Sequence, residues 1–490
     1  MQKVTKIFGP PGTGKTTKLL SIVEEALTKG VSPEEIAYVS FSKKAAEEAI
    51  NRACKKLNLQ KDKFRYFRTL HSLGYYVQGL NIDDGMQYDD YLEIANKLSL
   101  EITRFNDEED NTYGNKDGDN CMQIHRLARS RMISAEEEWR NAEKQVSIRF
   151  PIVQQWIETV DQYKKDHKKH DYEDMLEHYS GALPVKIFIV DEAQDLSKLQ
   201  WWVVEQASKN AEHIYISGDD DQSVYNWNGA AVESFIDYPA AEEIVLPKSW
   251  RVPEELLSVA NRIVERIGNR KKKTWEPVGK GGEVIDGLNI WELPLEEDDW
   301  FILVRNTKFL RNVELALKEK GLLFNNNKHK YRRSIKAEEA RIITNWEALR
   351  RGESITIAAA GEIIKKLNGK LPMPTRREVF MADMPFAEEF KKKPWFEIFN
   401  RSLHASQVEY IRSCLRNNQK LTDEPKITIS TIHKVKGGEA TNVAIVPDYS
   451  YLSAQYIDSD DEHRIQYVAV TRAKKNLYLL SPETEYFYEY

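Results

Sequence analysis

The chain has 490 residues, 41% of them hydrophobic, which is enough to bury cores in about two to four domains. Its 71 Lys and Arg against 77 Asp and Glu leave a formal charge of −6, so no basic surplus advertises a polyanionic ligand and any such contact must come from local groups. Three cysteines, Cys54, Cys121 and Cys414, lie far apart without a CxxC pair, which argues against a zinc site or a disulfide framework, and no apolar run is long enough to cross a bilayer. A glycine-rich loop beginning at Gly9 leaves no room for a usual signal peptide. The expectation is a cytoplasmic protein (in a host's cytoplasm if the gene is phage-borne) with no membrane partner.

Along the chain, residues 4–8 predict a strand, and a helix follows the glycine-rich loop through Leu27. Ile36–Phe41 predicts a second strand and Lys43–Leu57 a second helix, the rhythm of a parallel α/β sheet. That rhythm weakens after about residue 85. Residues 106–120 are acidic and rich in Gly and Asn, as in a loop, and 121–170 look helical, with Leu127, Ile133, Trp139 and Trp156 available for packing. Val185–Val190 is a continuous apolar run of the buried parallel kind, and His213–Ser217 is a further strand. A second α/β unit starts near Arg251, with a strand at Trp300–Arg305 and a helix through Lys320. Residues 335–420 read as helical. Strands return at Lys426–Thr431, Val443–Pro447 and Leu477–Leu480, around a helix at Arg464–Ala473. The chain thus reads as two α/β domains, each interrupted by a mainly helical insertion. The first spans 1–85 and 171–250 around 86–170, the second 251–334 and 421–490 around 335–420.

The run Gly9, Pro10, Pro11, Gly12, Thr13, Gly14, Lys15, Thr16, with Thr17 behind it, sits between a strand and a helix. Such a loop curls its backbone N–H groups around phosphates at a helix N-terminus. Lys15 would reach the β- and γ-phosphates and Thr16 would ligate Mg²⁺. Asp191 and Glu192 end the apolar strand, where open α/β sheets bind ligands. Asp191 is placed to hold Mg²⁺ and Glu192 to polarise the attacking water; alone, the pair could be a simple acidic helix start. The basic clusters Lys164–Lys169, Arg270–Lys273 and Lys328–Arg333 read equally as solvated faces or phosphate contacts.

These residues resemble the UvrD/Rep/PcrA helicases of superfamily one. The resemblance is carried by Gly9–Thr16, Asp191–Asp195, Gly218–Ala230, Ser249–Trp250–Arg251, Thr431–Gly437 and Tyr467–Lys474, with Tyr38–Ala46 and Thr69–Ser72, in the family's order. It implies two RecA-like domains with ATP between them. It implies that Gln222 senses the γ-phosphate, and that Arg251 and Arg472 are arginine fingers from the second domain's side. Trp250 falls where the family stacks adenine and Glu439 where it contacts ribose. Phe41, His71, Tyr225, Trp227 and His433 match single-stranded DNA contacts, and Lys43, Lys44 and Lys436 are cations able to contact its phosphates. Asp171–Leu176 resembles a further family segment to which no chemistry is assigned.

The chain departs from the family near the nucleobase. Gln2 stands too close to Gly9 to act as the family's adenine-reading glutamine, and Thr17 replaces a common arginine. GTP is therefore expected to be a fair substrate, and strict ATP preference in steady-state hydrolysis would refute this. Asn228 replaces the arginine beside the stacking aromatic, and Gly438 and Ala440 replace bulkier residues. The expected activity is an ATP- and Mg²⁺-dependent monomer moving 3′ to 5′ on single-stranded DNA and unwinding duplex from a single-strand/duplex junction. The alternatives are a translocase that displaces proteins with weak unwinding, a non-motor P-loop switch, or the opposite polarity. Any protein loader is left open.

Overall fold

The computed structural model describes residues 2–41, 43–58, 60–103, 116–142, 145–327, 333–368, 371–399 and 403–490. The side chains of Lys43 and Lys44, most of the acidic loop, and 328–332 of the third basic cluster lie outside the described residues. The chain forms two compact units, one of 1–283 with 450–475 and 490, the other of 284–449 with 476–489.

The first unit is built on β1 (Lys3–Phe8), β2 (Ile36–Ser40), β3 (Tyr66–Thr69), β4 (Ile187–Asp191), β5 (His213–Gly218) and β6 (Glu242–Val245), in the order β3-β2-β4-β5-β1-β6. Every pairing in it is parallel. Alternation along these strands feeds two cores. Ile36, Tyr38 and Ile189 meet Leu19, Val23 and Ala49 of the helices Lys15–Thr28 and Lys43–Leu57. Ala37, Val39 and Val190 meet Leu70, Leu73, Val203 and Phe235 on the other face. Both faces are therefore covered by helices, which is why β2 and β4 are apolar at almost every position. The register sets Phe8 beside Gly218 and Val245, and Ser40 beside Asp191. The carboxyl ends of five strands thus line one edge, where a ligand site belongs.

The insertion in this unit has its own core. Helices Tyr88–Lys97, Asp117–Arg131, Ala135–Ala142 and Phe150–His167 enclose Ile94, Cys121, Ile124, Leu127, Val153, Trp156 and Val160. Among the described residues of the acidic loop, Lys116 is the N-cap of a helix that runs from Asp117 through the expected loop end at Asn120.

The second unit carries β7 (Glu283–Leu288), β8 (Trp300–Val304), β9 (Phe324–Asn326), a short antiparallel pair β10 (Ile355–Thr356) and β11 (Glu378–Val379), then β12 (Ile427–Thr431), β13 (Ala440–Val446) and β14 (Ala473–Leu480). Its main sheet runs β7-β14-β13-β8-β12-β9, with β8, β9, β12 and β13 parallel. One continuous core joins Ile302, Ile429 and Ala444 of the sheet to Trp346, Leu349 and Trp395 of the helical segment. Two six-stranded parallel sheets with interspersed helices bear out the expected pair of RecA-like α/β domains. Among the described residues no helix is long and apolar enough to cross a membrane.

Candidate functional site

The glycine-rich loop leaves β1 and is fastened at once to the neighbouring strand: Gly9 N–H donates to the Gly218 carbonyl at 2.9 Å. Gly12 and Gly14 have φ of 72° and 82°, the left-handed region that a side chain disfavours. Gly14 caps the helix Lys15–Thr28, so that helix's free N–H groups open onto the loop. A Cβ on Gly9 would fall 1.9 Å from Lys15 Cγ. Only glycine lets the Lys15 stem lie across the loop, where its Nζ donates to the Gly9 carbonyl at 2.9 Å.

Asp191 ends β4 and is 1% exposed. Tyr38 Oη donates to its Oδ2 at 2.6 Å and the Glu192 N–H to its Oδ1 at 2.9 Å. Burial, and then the charge of Glu192, raise the Asp191 carboxyl to about 6. A buried carboxylate at a strand end is the kind of oxygen donor a hard cation such as the expected Mg²⁺ takes. Glu192 has φ 54°, a left-handed conformation that costs a non-glycine residue of order 1 kcal/mol and turns the chain sharply out of the strand. Its Oε2 accepts from Gln194 Nε2 at 2.7 Å.

Gln194, fully buried, is a residue the sequence reading passed over. Its Oε1 accepts from the Asp219 N–H at 3.0 Å and its carbonyl from Ser223 Oγ at 3.0 Å. It thereby joins the acidic pair to the segment holding Gln222. The Gln222 amide is gripped at both ends: Nε2 donates to Asp219 Oδ2 at 2.7 Å, and Oε1 accepts from Arg472 Nη2 at 2.9 Å. Arg472 is 1% exposed. Burial, then the nearby Arg251 charge, lower its guanidinium to about 9 against the opposing pull of Glu192. The Arg251 charge is thus felt at the buried Arg472 guanidinium, and a pair of cations coupled in this way favours an anionic ligand.

The segment Ser249–Trp250–Arg251 is tied to the loop as well. Ser249 Oγ donates to the Pro11 carbonyl at 2.8 Å, and the Trp250 N–H to the Gly12 carbonyl at 2.9 Å. Trp250 is 70% exposed, an indole face open to stacking, with Lys248 Nζ 5.0 Å from its ring centre. Gln2 spends its amide on the Ser208 and Ala211 carbonyls, at 2.6 and 3.1 Å.

These bonds depart from the expected division at residue 250. Residues 251–283 and 450–475 fold with the first unit, so Arg251 and Arg472 share a unit with Lys15, Asp191, Glu192 and Gln222. The physical reason is local: Ser249 grips the loop, Arg472 grips Gln222, and the helix Asp460–Val470 sends Arg464 Nε to the Asp220 carbonyl at 3.1 Å. Glu439, exposed, and Lys436, half-buried, belong to the second unit. His433 also lies there and is 2% exposed, so the aromatic row of the first unit forms without it.

That row leads away from Gln222. Tyr225 stacks on Phe41 with centroids 5.1 Å apart, and Trp227 follows at 6.4 Å from Tyr225. His71 packs on Tyr172 at 4.7 Å. Phe41 and His71 line a cavity of about 940 Å³ that extends between the sheet and the helical insertion, with Tyr91, Trp156 and Tyr172 on its far side. Burial lowers His71 to about 4, so near neutrality it is an uncharged imidazole and offers a ring rather than a cation.

The basic clusters divide differently from a surface reading. Lys164 binds Asp171 and Asp174 at 2.8 and 3.0 Å, beside Arg129, which bonds Asp171, Asp174 and Glu177. The segment Asp171–Leu176 is therefore a clamp between the insertion and the sheet. Arg270 and Lys273 are paired with Asp219–Asp221, and Arg333 bonds the Leu421 and Asp423 carbonyls.

Comparison with known proteins agrees with this geometry. Residues 1–240 match the UvrD/REP helicase N-terminal domain, and residues 426–480 the UvrD-like helicase C-terminal domain. The chain is 23% identical to YjcD of Bacillus subtilis (strain 168), named as a candidate ATP-dependent DNA helicase, over 98% of this chain and 78% of that protein. It is 28% identical to the ATP-dependent DNA helicase PcrA of Leuconostoc citreum, over 28% of this chain and 19% of that one. With PcrA of Staphylococcus aureus (strain COL) the identity is 29%, over 27% and 18%. The PcrA matches thus span about a fifth of those proteins. A phosphate-binding loop, an acidic strand end and a buried Gln–Arg contact, in a chain matching both domain families in order, place this protein in the UvrD-like family of ATP-dependent DNA helicases.

Proposed function

We propose that the chain hydrolyses ATP with Mg²⁺ to move 3′ to 5′ along single-stranded DNA and to unwind duplex at a junction, in the cytoplasm. The observation that carries this reading is the unbroken link from Glu192 through Gln194 and Asp219 to Gln222 and Arg472, and onward in sequence to Tyr225 and Trp227. Residues around the phosphates and residues that stack on bases sit on one short segment. A change of Gln222 on hydrolysis therefore reaches the aromatic row within a few residues.

In this reading Lys15 and the loop N–H groups bind the β- and γ-phosphates, and Asp191 and Thr16 hold Mg²⁺. When bound, the cation would neutralise phosphate charge and orient the terminal phosphoryl group. Glu192 polarises the attacking water, and Arg251 and Arg472 stabilise charge on the equatorial oxygens. Trp250 stacks the base from its open side and Glu439 contacts the ribose. Phe41, His71, Tyr225 and Trp227, with His433, meet the DNA. Aromatic faces accept any base, which suits motion along arbitrary sequence. Arg270, Lys273 and Lys164 are engaged in internal pairs, so these three cations are not offered to DNA phosphates.

Strand separation of 3′-tailed against 5′-tailed duplexes tests the proposal, with Glu192→Gln as the inactive control. Unwinding of the 3′-tailed substrate alone is expected. Preference for the 5′ tail reverses the polarity. Strong DNA-stimulated hydrolysis with little unwinding of either substrate identifies a translocase, and no stimulation by DNA leaves a P-loop switch.

A further inference from the structure

The segment Arg270–Lys273, which in sequence reads equally as a solvated face or a phosphate contact, is fastened to Asp219–Asp221 beside Gln222. Arg270 Nε and Nη2 donate to Asp221 Oδ1 and Oδ2 at 2.7 and 2.6 Å. The Lys271 N–H donates to Asp220 Oδ2 at 2.7 Å. Lys273 Nζ lies 3.1 Å from Asp219 Oδ1 and 2.9 Å from Asp221 Oδ2, and it also bonds Asp220 Oδ1. Its side chain is 1% exposed, as buried as the three carboxylates around it.

A lone ammonium could not stay charged in so dry a place. Burial pushes its pKa down, and the three carboxylates more than reverse that, so the net shift is upward. The dependence runs the other way too. Three adjacent carboxylates share two cations, and Arg270 is committed to Asp221. Without Lys273, Asp219 would lose its ion pair and face the Asp220 and Asp221 carboxylates with Arg472 as its remaining cationic influence. Asp219 is the member that matters for chemistry, because its Oδ2 accepts from Gln222 Nε2. That bond decides which end of the amide faces Arg472. Lys273 also sits 5.8 Å from the ring centre of Phe8, the residue before Gly9, so it touches the root of the phosphate loop as well.

We propose that Lys273 is a positioning residue for ATP hydrolysis: it anchors Asp219, which turns the Gln222 amide so that its carbonyl oxygen receives Arg472. It meets no substrate atom. Its effect passes through Asp219 and Gln222 to the guanidinium, and the inference rests on the reading of Gln222 and Arg472 as groups that act on the γ-phosphate.

The test is steady-state ATPase of the full chain with and without oligo-dT, comparing Lys273→Met, Arg270→Met, Gln222→Ala and the Lys273→Met/Gln222→Ala double variant. Lys273→Met is expected to lower DNA-stimulated kcat by about 10-fold or more with KM for ATP within about twofold, the pattern of a lost transition-state interaction. Arg270→Met, which removes the cluster's other cation without touching Asp219, is expected to lower the melting temperature but to cost far less kcat. The double variant is expected to be no slower than Gln222→Ala, since the two act as one unit. If Arg270→Met reproduces the kcat loss, or if the defects multiply in the double variant, Lys273 is only a structural cation and the proposal fails. If Gln222→Ala alone retains normal kcat, the underlying reading of Gln222 fails instead. Should Lys273→Met not fold, Lys273→Gln, which keeps a donor in the cluster, is read by the same criteria.

Discussion

Glu192→Gln is expected to reduce ATP turnover by about 10³-fold while leaving nucleotide binding intact, within the range by which a positioned general base accelerates proton transfer. The substitution keeps the size of the side chain and its bond to Gln194, so the left-handed turn at Glu192 and the contact to Asp219 survive. It removes one thing, the negative charge that would draw a proton from the attacking water. The charge also matters to its surroundings, because Glu192 opposes the effects of burial and Arg251 on Arg472. Binding of a fluorescent ATP analogue beside single-turnover hydrolysis checks both halves. Turnover near the wild-type rate would remove Glu192 from the role of base.

Arg472→Ala is expected to lower kcat about 10²- to 10³-fold with a much smaller change in KM, as for loss of one preorganised charge at a developing oxyanion. Its guanidinium is spread over the Val468 carbonyl, the Gln222 amide and Thr471 Oγ1, at 2.9, 2.9 and 3.2 Å. That fixes the plane of the group before any ligand arrives. Arg472→Lys is expected to recover little, because an ammonium on a flexible stem cannot reproduce the fork. Truncation also removes the guanidinium donors to the Val468 carbonyl and the Gln222 amide oxygen, although Thr471 Oγ1 still donates to that carbonyl at 3.1 Å, so a stability loss of about 1–3 kcal/mol is expected. Thermal unfolding measured alongside the kinetics separates the two effects. If Arg472→Ala loses stability but keeps kcat, the residue only braces the helix Asp460–Val470.

How far the fold could be read from sequence depended on where each strand sits. The interior strands at Lys3–Phe8, Ile36–Ser40, Ile187–Asp191, His213–Gly218, Trp300–Val304, Ile427–Thr431 and Ala440–Val446 carry helices or neighbouring strands on all sides, and their apolar runs announce them. Four of the strands that were missed, at Tyr66–Thr69, Glu242–Val245, Glu283–Leu288 and Phe324–Asn326, are the edges of the two main sheets, and the other two, Ile355–Thr356 and Glu378–Val379, form a short antiparallel pair inside a segment expected to be helical. An edge strand has one neighbour and partial cover, so it can carry the glutamates of Glu242–Val245 or the left-handed Gly287, and the pattern dissolves.

The glycine-rich loop and the acidic pair at the strand end could be picked out in the sequence because their patterns are local. A positive-φ glycine, a lysine six residues on from Gly9 and two carboxylates at a strand end need no distant partner to be recognised. The family was legible for the same reason, through short segments in a fixed order. What sequence could not show is which charges meet. Arg270–Lys273 and Lys164–Lys169 look alike as strings, yet Arg270 pairs with Asp221, 49 residues back, while Lys164 pairs with Asp171 and Asp174, 7 and 10 residues on. The neutrality of His71, the grip on both ends of Gln222, the place of Arg251 beside Gly12 and that of Arg472 beside Gln222 depend equally on groups brought together by folding. Desolvation and charge pairing belong to a site in space. A linear pattern records the groups that can ionise, and the packed interior sets which of them are paired, neutral or aimed at a ligand.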